Sequence, residues 1–117
     1  MLNLLVIWSQ ESEALVEFYA ILGIQLLPEQ HGKGPQHYAA QGPASTVFEI
    51  YPATSDEKVT RNIRLGFEIT QLDTVLAQLT AAGFAIHQPA KASAWGYRAV
   101  VLDPEGRKVE LIERPEA

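Results

Sequence analysis

The 117 residues carry nine basic and fourteen acidic side chains, a net charge of −5 with no basic cluster, which argues against a nucleic-acid surface. Cysteine is absent, so disulfides, thiolate chemistry and cysteine-ligated zinc or iron–sulfur centres are excluded. Apolar residues make up 47% of the chain, enough for one core, yet no apolar run approaches the roughly 20 residues of a membrane span. The start Met1-Leu2-Asn3 lacks the basic region of a secretory leader, so one cytoplasmic domain without a membrane partner is the expectation.

Residues 2–8 are strand-like in composition, and Ser9 or Ser12 is placed to cap a following helix. Across residues 11–22, Leu15, Phe18, Tyr19 and Leu22 recur at i, i+3, i+4 and i+7, the stripe of an amphipathic helix. Gly23 stands where a left-handed C-terminal residue is wanted. A short strand over residues 24–27 is expected to stop at Pro28, and the Gly-rich stretch through Pro35 to be a loop. A strand over residues 36–40 leads to a turn at Pro43, followed by an alternating segment with Val47, Glu49 and Tyr51 on one face. Residues 52–61 are polar and unpatterned and read as a linker.

The same order of elements then restarts. Residues 63–69 alternate, with Arg64, Gly66 and Glu68 on the face opposite Ile63, Leu65, Phe67 and Ile69. Thr70 with Asp73 resembles a capping box for a helix striped by Leu72, Val75, Leu76 and Leu79 and closed by Gly83. A strand over residues 84–87 is expected to stop at Pro89, and residues 90–94 to form a loop before the strand at residues 98–102. Asp103-Pro104-Glu105-Gly106 is turn chemistry: Asp caps, Pro pre-sets φ, and Gly tolerates the last position. After it, Val109 and Leu111 point one way and Lys108, Glu110 and Ile112 the other.

The two series match in detail. Gly23 and Gly83 lie 60 residues apart, Glu49 and Glu110 lie 61 apart, and each glutamate follows its turn proline by six positions. One such strand–helix–strand–strand–strand module cannot bury both faces of its sheet, whereas two together can. Residues 1–51 form module one and residues 62–115 module two.

Phe18-Tyr19 with Leu22-Gly23 closing the first helix, Glu49 in the fourth strand, and the Asp103-Pro104-Glu105-Gly106 ending with Val109-Glu110-Leu111-Ile112 resemble the vicinal oxygen chelate superfamily. That superfamily includes glyoxalase I, bleomycin-resistance proteins and extradiol dioxygenases. The resemblance covers nearly the whole chain and implies an α+β fold of two βαβββ modules, a curled mixed sheet around a cavity, and a homodimer. Metal-using relatives place one ligand on the first and fourth strands of each module. The fourth-strand positions carry over to Glu49 and Glu110, and the first-strand positions fall at Leu4 (or Leu2) and Arg64. Leucine has no lone pair and arginine has only donors, so neither ligates a metal. Arg64 is therefore read as standing in for the cation, with no metal and no cofactor expected.

The expected ligand-binding groups are Arg64, His37, Arg98, Trp8, Tyr51 and Trp95, with Glu49 and Glu110 as the carboxylates that would act in any catalysis. His31 and His87 read as structural or solvated, Glu68 as a partner of Arg64 or exposed, and Phe18, Phe48 and Phe67 as core. Gly32 and Gly34 precede no helix start, so they make no phosphate loop. The leading reading is a metal-free binder of a small organic ligand. The alternative is a lyase or isomerase with Glu110 or Glu49 as general base and Arg64 or Arg98 on the enolate oxygen. A third is a weak Mg²⁺ or Mn²⁺ held by the two glutamates, His37 and water.

Overall fold

A computed structural model describes residues 1–42 and 46–115, so the turn at Pro43 lies outside the described residues. The chain divides into two compact units, Met1–Ala20 with Ile24–Arg61, and Ile21–Gly23 with Asn62–Ala117. Among the described residues each is a βαβββ module with one α-helix and a four-stranded mixed sheet, an α+β fold, and the first unit adds a 3₁₀ turn at Asp56–Lys58.

Module one contains β1 (Leu4–Ser9), α1 (Ser12–Ile21), β2 (Leu27–Glu29), β3 (His37–Gln41) and β4 (Val47–Pro52). Its sheet order is β1-β4-β3-β2, with β1 parallel to β4 and the other pairs antiparallel. Ile7, Leu15, Phe18, Tyr19, Phe48 and Ile50 form its core, with the Tyr19 ring edge-on to Phe18 and to Phe48. The Ser9 hydroxyl accepts the Glu11 N–H at the start of α1. Gly23, at φ +90°, ends the helix, where the Ile24 N–H returns to the Tyr19 carbonyl.

Two expectations change here. Pro28 does not stop β2: it sits inside it, paired with Tyr38, because β2 is the sheet edge and a missing donor there costs no ladder bond. Residues 52–61 belong to the first unit, where the Trp8 N–H donates to Thr60 Oγ1 and the Thr60 N–H donates back to the Trp8 carbonyl.

Module two contains β5 (Leu65–Glu68), α2 (Leu72–Ala81), β6 (Ile86–Ser93), β7 (Gly96–Leu102) and β8 (Lys108–Glu113), in sheet order β5-β8-β7-β6. Leu72, Leu79, Val101, Val109 and Leu111 are fully buried. The β6 edge strand runs through Pro89 to Ser93, absorbing the proline with register shifts around Gln88, so the loop expected at residues 90–94 is largely strand. The capping box is also corrected. Gln71 takes the N-cap position at φ +53° with no side-chain bond, and Glu113 reaches from β8 to the α2 terminus instead. The Asp103 turn forms as read: its carboxylate accepts the Glu105 and Arg107 N–H groups. Arg107 then lies back along it, Nη1 to Oδ2 at 2.9 Å, with both side chains buried.

The register repeats as the sequence does. Val6 faces Glu49 in the β1–β4 pair and Gly66 faces Glu110 in the β5–β8 pair, while Tyr38–Ile50 and Ala99–Leu111 are equivalent hairpin partners.

Candidate functional site

In module two the chemistry gathers on one sheet face. Val100 is the direct partner of Glu110 and Arg98 of Ile112, so Arg98 and Glu110 are diagonal neighbours on adjacent strands, within reach of long side chains. Arg98 Nη2 donates to Glu110 Oε1, with the two side chains 29% and 32% exposed. They line a cleft of about 620 Å³ whose walls include Phe67, Ile112 and Trp95. Gly66 lies beside Glu110 and leaves that part of the wall without a side chain. Trp95 is 68% exposed, and an ion pair between Arg114 and Glu68 at 3.0 Å adds charge to the lining.

Two expectations are revised by this placement and a third is decided. Arg64 precedes β5, is exposed, and is not among the residues lining the cleft; the guanidinium on Glu110 belongs to Arg98. Of the two alternatives for Glu68, exposure holds: its side chain is 61% exposed and pairs with Arg114, not with Arg64. Phe67 is half-buried and lines the cleft, while Phe18 and Phe48 are core as expected.

Module one carries a second polar group. His37 is only 2% exposed, and its ring stacks on Tyr51 at 4.1 Å with the planes 8° apart. Its Nδ1 lies 3.1 Å from the Pro35 carbonyl, and its Nε2 lies 3.1 Å from Glu29 Oε1 and 3.2 Å from Glu49 Oε2. Burial works against charging His37, but the bonds to Pro35 and Glu29 and the charges of Glu49 and Glu29 outweigh it and raise its pKa above the ordinary 6.5. Bonds from His31 and then His37 hold the Glu29 carboxyl below its usual range, and burial followed by the Glu49 charge pushes the Tyr51 phenol up. Trp8 is 42% exposed, its ring centroid 5.9 Å from that of Tyr51.

The sequence pattern alone does not point to Glu29 and gives His31 no site role. The missing signal was strand length: with β2 continuing through Pro28, Glu29 becomes the direct cross-strand partner of His37. His31 is exposed but bonds Glu29 at 2.6 Å, whereas His87 is exposed on β6 and stands outside the group.

The metal arrangement implied by the resemblance is not supported by the residues present. Beside Glu49 and Glu110 the first strands offer Val6 and Gly66, and two residues earlier in the chain stand Leu4 and Arg64. None of these four has a lone pair to give.

The family model of the glyoxalase-like domain matches residues 5–112. Among solved structures, the antibiotic binding protein TnmS3 from Streptomyces sp. CB03234 is 20% identical with TM-score 0.73, covering 98% of this chain and 96% of that one. The oxidase ChaP-H2 is 20% identical with TM-score 0.77 over 100% of this chain and 95% of its own. A glyoxylase/bleomycin resistance protein/dioxygenase domain from Frankia sp. EAN1pec is 18% identical with TM-score 0.72 over 98% and 91%. At these identities the likeness establishes the fold alone. No curated protein matches the sequence significantly.

Proposed function

We propose that this chain, which belongs to the glyoxalase-like domain family, binds a small organic molecule in the cleft of its second module, without a metal in that cleft. The observation that carries the reading is the Arg98–Glu110 pair, held two-thirds buried in a cleft walled by Trp95 and Phe67. Two ion pairs, Arg98–Glu110 and Arg114–Glu68, stand against the apolar walls of Phe67, Trp95 and Ile112, so the cleft offers a ligand both polar anchors and apolar contact. A guanidinium presents five donors, of which one meets Glu110, so an oxygen-bearing ligand finds free N–H groups without breaking the pair. The rings of Trp95 and Phe67 suit a flat apolar body. The likeness to an antibiotic binding protein supports the same ligand class.

On the first module, taken by itself, the equivalent face carries Glu49 and Tyr51 beside Trp8 and His37, a second surface that combines aromatic and polar groups. The homodimer belongs to the same proposal. Leu4 and Trp8, 48% and 42% exposed on one face of the β1 edge strand, are apolar surface that a second copy would cover.

Binding without chemistry is the reading we favour, because one Glu110 oxygen is already engaged by Arg98; the other oxygen keeps the general-base alternative open to test. Titrating a panel of planar aromatic carbonyl compounds against Trp95 fluorescence, with Trp8→Phe as background, tests the proposal. A saturable 1:1 response lost in Arg98→Ala supports it, and no saturable response from any member overturns it. Turnover abolished in a folded Glu110→Gln variant would favour the enzyme.

A further inference from the structure

Four side chains of the first module converge on one point: Glu29 from β2, His31 from the Gly-rich loop, His37 from β3 and Glu49 from β4. Each brings one ligand atom, and all four atoms lie within 4.8 Å of one another. The loop that delivers His31 is closed by Gly32 at φ +57° and by the Gly34 N–H on the His31 carbonyl.

His37 decides what belongs between them. Its Nδ1 faces a carbonyl, which only accepts, so that nitrogen carries the proton of the neutral ring. The buried Nε2 is then the lone-pair nitrogen, and it faces two carboxylate oxygens that also only accept. Acceptors turned on one another require a positive charge in their midst. Neutralising the two carboxylates with protons alone would take a second proton on both His37 and His31; a single divalent cation does so with both rings neutral.

The dimensions suit a cation. Zinc-class bonds of about 2.0–2.1 Å in a tetrahedron set ligand atoms about 3.4 Å apart. The separations of 2.6, 3.1 and 3.2 Å are all somewhat shorter than that spacing, and His31 and Glu29, the more exposed members, have room to move apart around an ion. Two imidazoles and two carboxylates form the borderline donor set such ions take. Outer support is also in place: the Pro35 carbonyl fixes the His37 tautomer and the Tyr51 ring fixes its plane.

We propose that Glu29, His31, His37 and Glu49 form a site for one divalent transition-metal ion of the zinc class, built entirely within the first module. Only Glu49 coincides with a position that the resemblance associates with metal; the other three are particular to this arrangement. The ion would fasten the loop at residues 30–36 to the sheet and complete the surface beside Tyr51.

Calorimetric titration of ZnCl₂ into the untagged full chain, stripped with chelator and dialysed, tests this. One ion per chain is expected, with affinity reduced at least about tenfold in His31→Ala and in Glu29→Gln, since losing even an outer partner costs that much. Both changes lie on accessible side chains, so the variants should fold, as circular dichroism would verify. Cobalt(II) in place of zinc should show the visible absorption of a four-coordinate ion in the wild type and lose it in both variants. His87→Ala and Arg98→Ala should bind zinc as the wild type does; in Arg98→Ala this separates the ion from the organic ligand. Absence of stoichiometric binding, or binding undiminished in both His31→Ala and Glu29→Gln, would overturn the site.

Discussion

Glu113, at the end of β8, accepts the backbone N–H of Leu72 at 2.7 Å and so caps α2 from a different element. A helix start leaves N–H groups without intrahelical partners, and a carboxylate there also meets the positive end of the helix dipole. Gln71 provides no side-chain cap of its own. Glu113→Ala should therefore destabilise the protein by about 1 kcal/mol, the usual cost of losing a cap. Urea denaturation checks this; an unchanged midpoint would show that water replaces the carboxylate without loss.

Asp103 and Arg107 set a larger effect. The two side chains are 0% and 3% exposed, and the carboxylate also accepts two turn N–H groups. Asp103→Ala takes a fully buried carboxylate partner from a buried guanidinium, which keeps its bond to Glu105. A loss of about 3 kcal/mol is expected, at the lower end for a broken buried pair. Equilibrium unfolding should show it as a large fall in midpoint at unchanged slope.

Tyr97 offers a pH test. Its hydroxyl donates to Asp73 Oδ1 at 2.8 Å, and that bond, then burial and the nearby Asp73 and Glu113 charges, raise its pKa above the ordinary 10.0. A phenol whose folded pKa is raised stabilises the fold below the unfolded value and loses that contribution as pH rises through the folded one. Tyr97→Phe should thus be less stable than the wild type at neutral pH, with the difference shrinking as pH climbs past 10.0. Thermal melts of the two proteins across that range read the effect; a difference independent of pH would contradict it.

The cleft can be tested by filling it. A Cβ on Gly66 would sit 3.9 Å from Glu110, ordinary contact, so Gly66→Ala should fold normally and Gly66→Leu should project into the ligand space. Binding of a ligand found by the fluorescence screen should fall at least about tenfold in Gly66→Leu, near the cost of one lost polar or packing contact. Arg98→Ala should lose binding to a similar degree yet change stability by less than about 1 kcal/mol, because a pair one-third exposed is screened. Melting temperature and binding isotherms together separate the two effects.

Much of this molecule was legible locally. Gly23 and Gly83 end their helices at φ +90°, the apolar stripe of α1 is buried, and the Asp103 turn forms through its own side chain. Each depends on residues within a turn or two of one another, where period and dihedral preference decide. The duplicated register, with Glu49 and Glu110 beside Val6 and Gly66, follows from the same repeat.

What the tertiary structure alone decided was which distant side chains meet. Pro28 and Pro89 lie within strands because β2 and β6 are sheet edges, a fact of strand order and not of composition. Strand order likewise put Glu29 opposite His37, set Arg98 diagonally from Glu110 where Arg64 had been expected, and carried Glu113 to Leu72. Local energetics settle helices and turns; side chains tens of residues apart are joined by cross-strand pairing, whose register only the folded sheet defines.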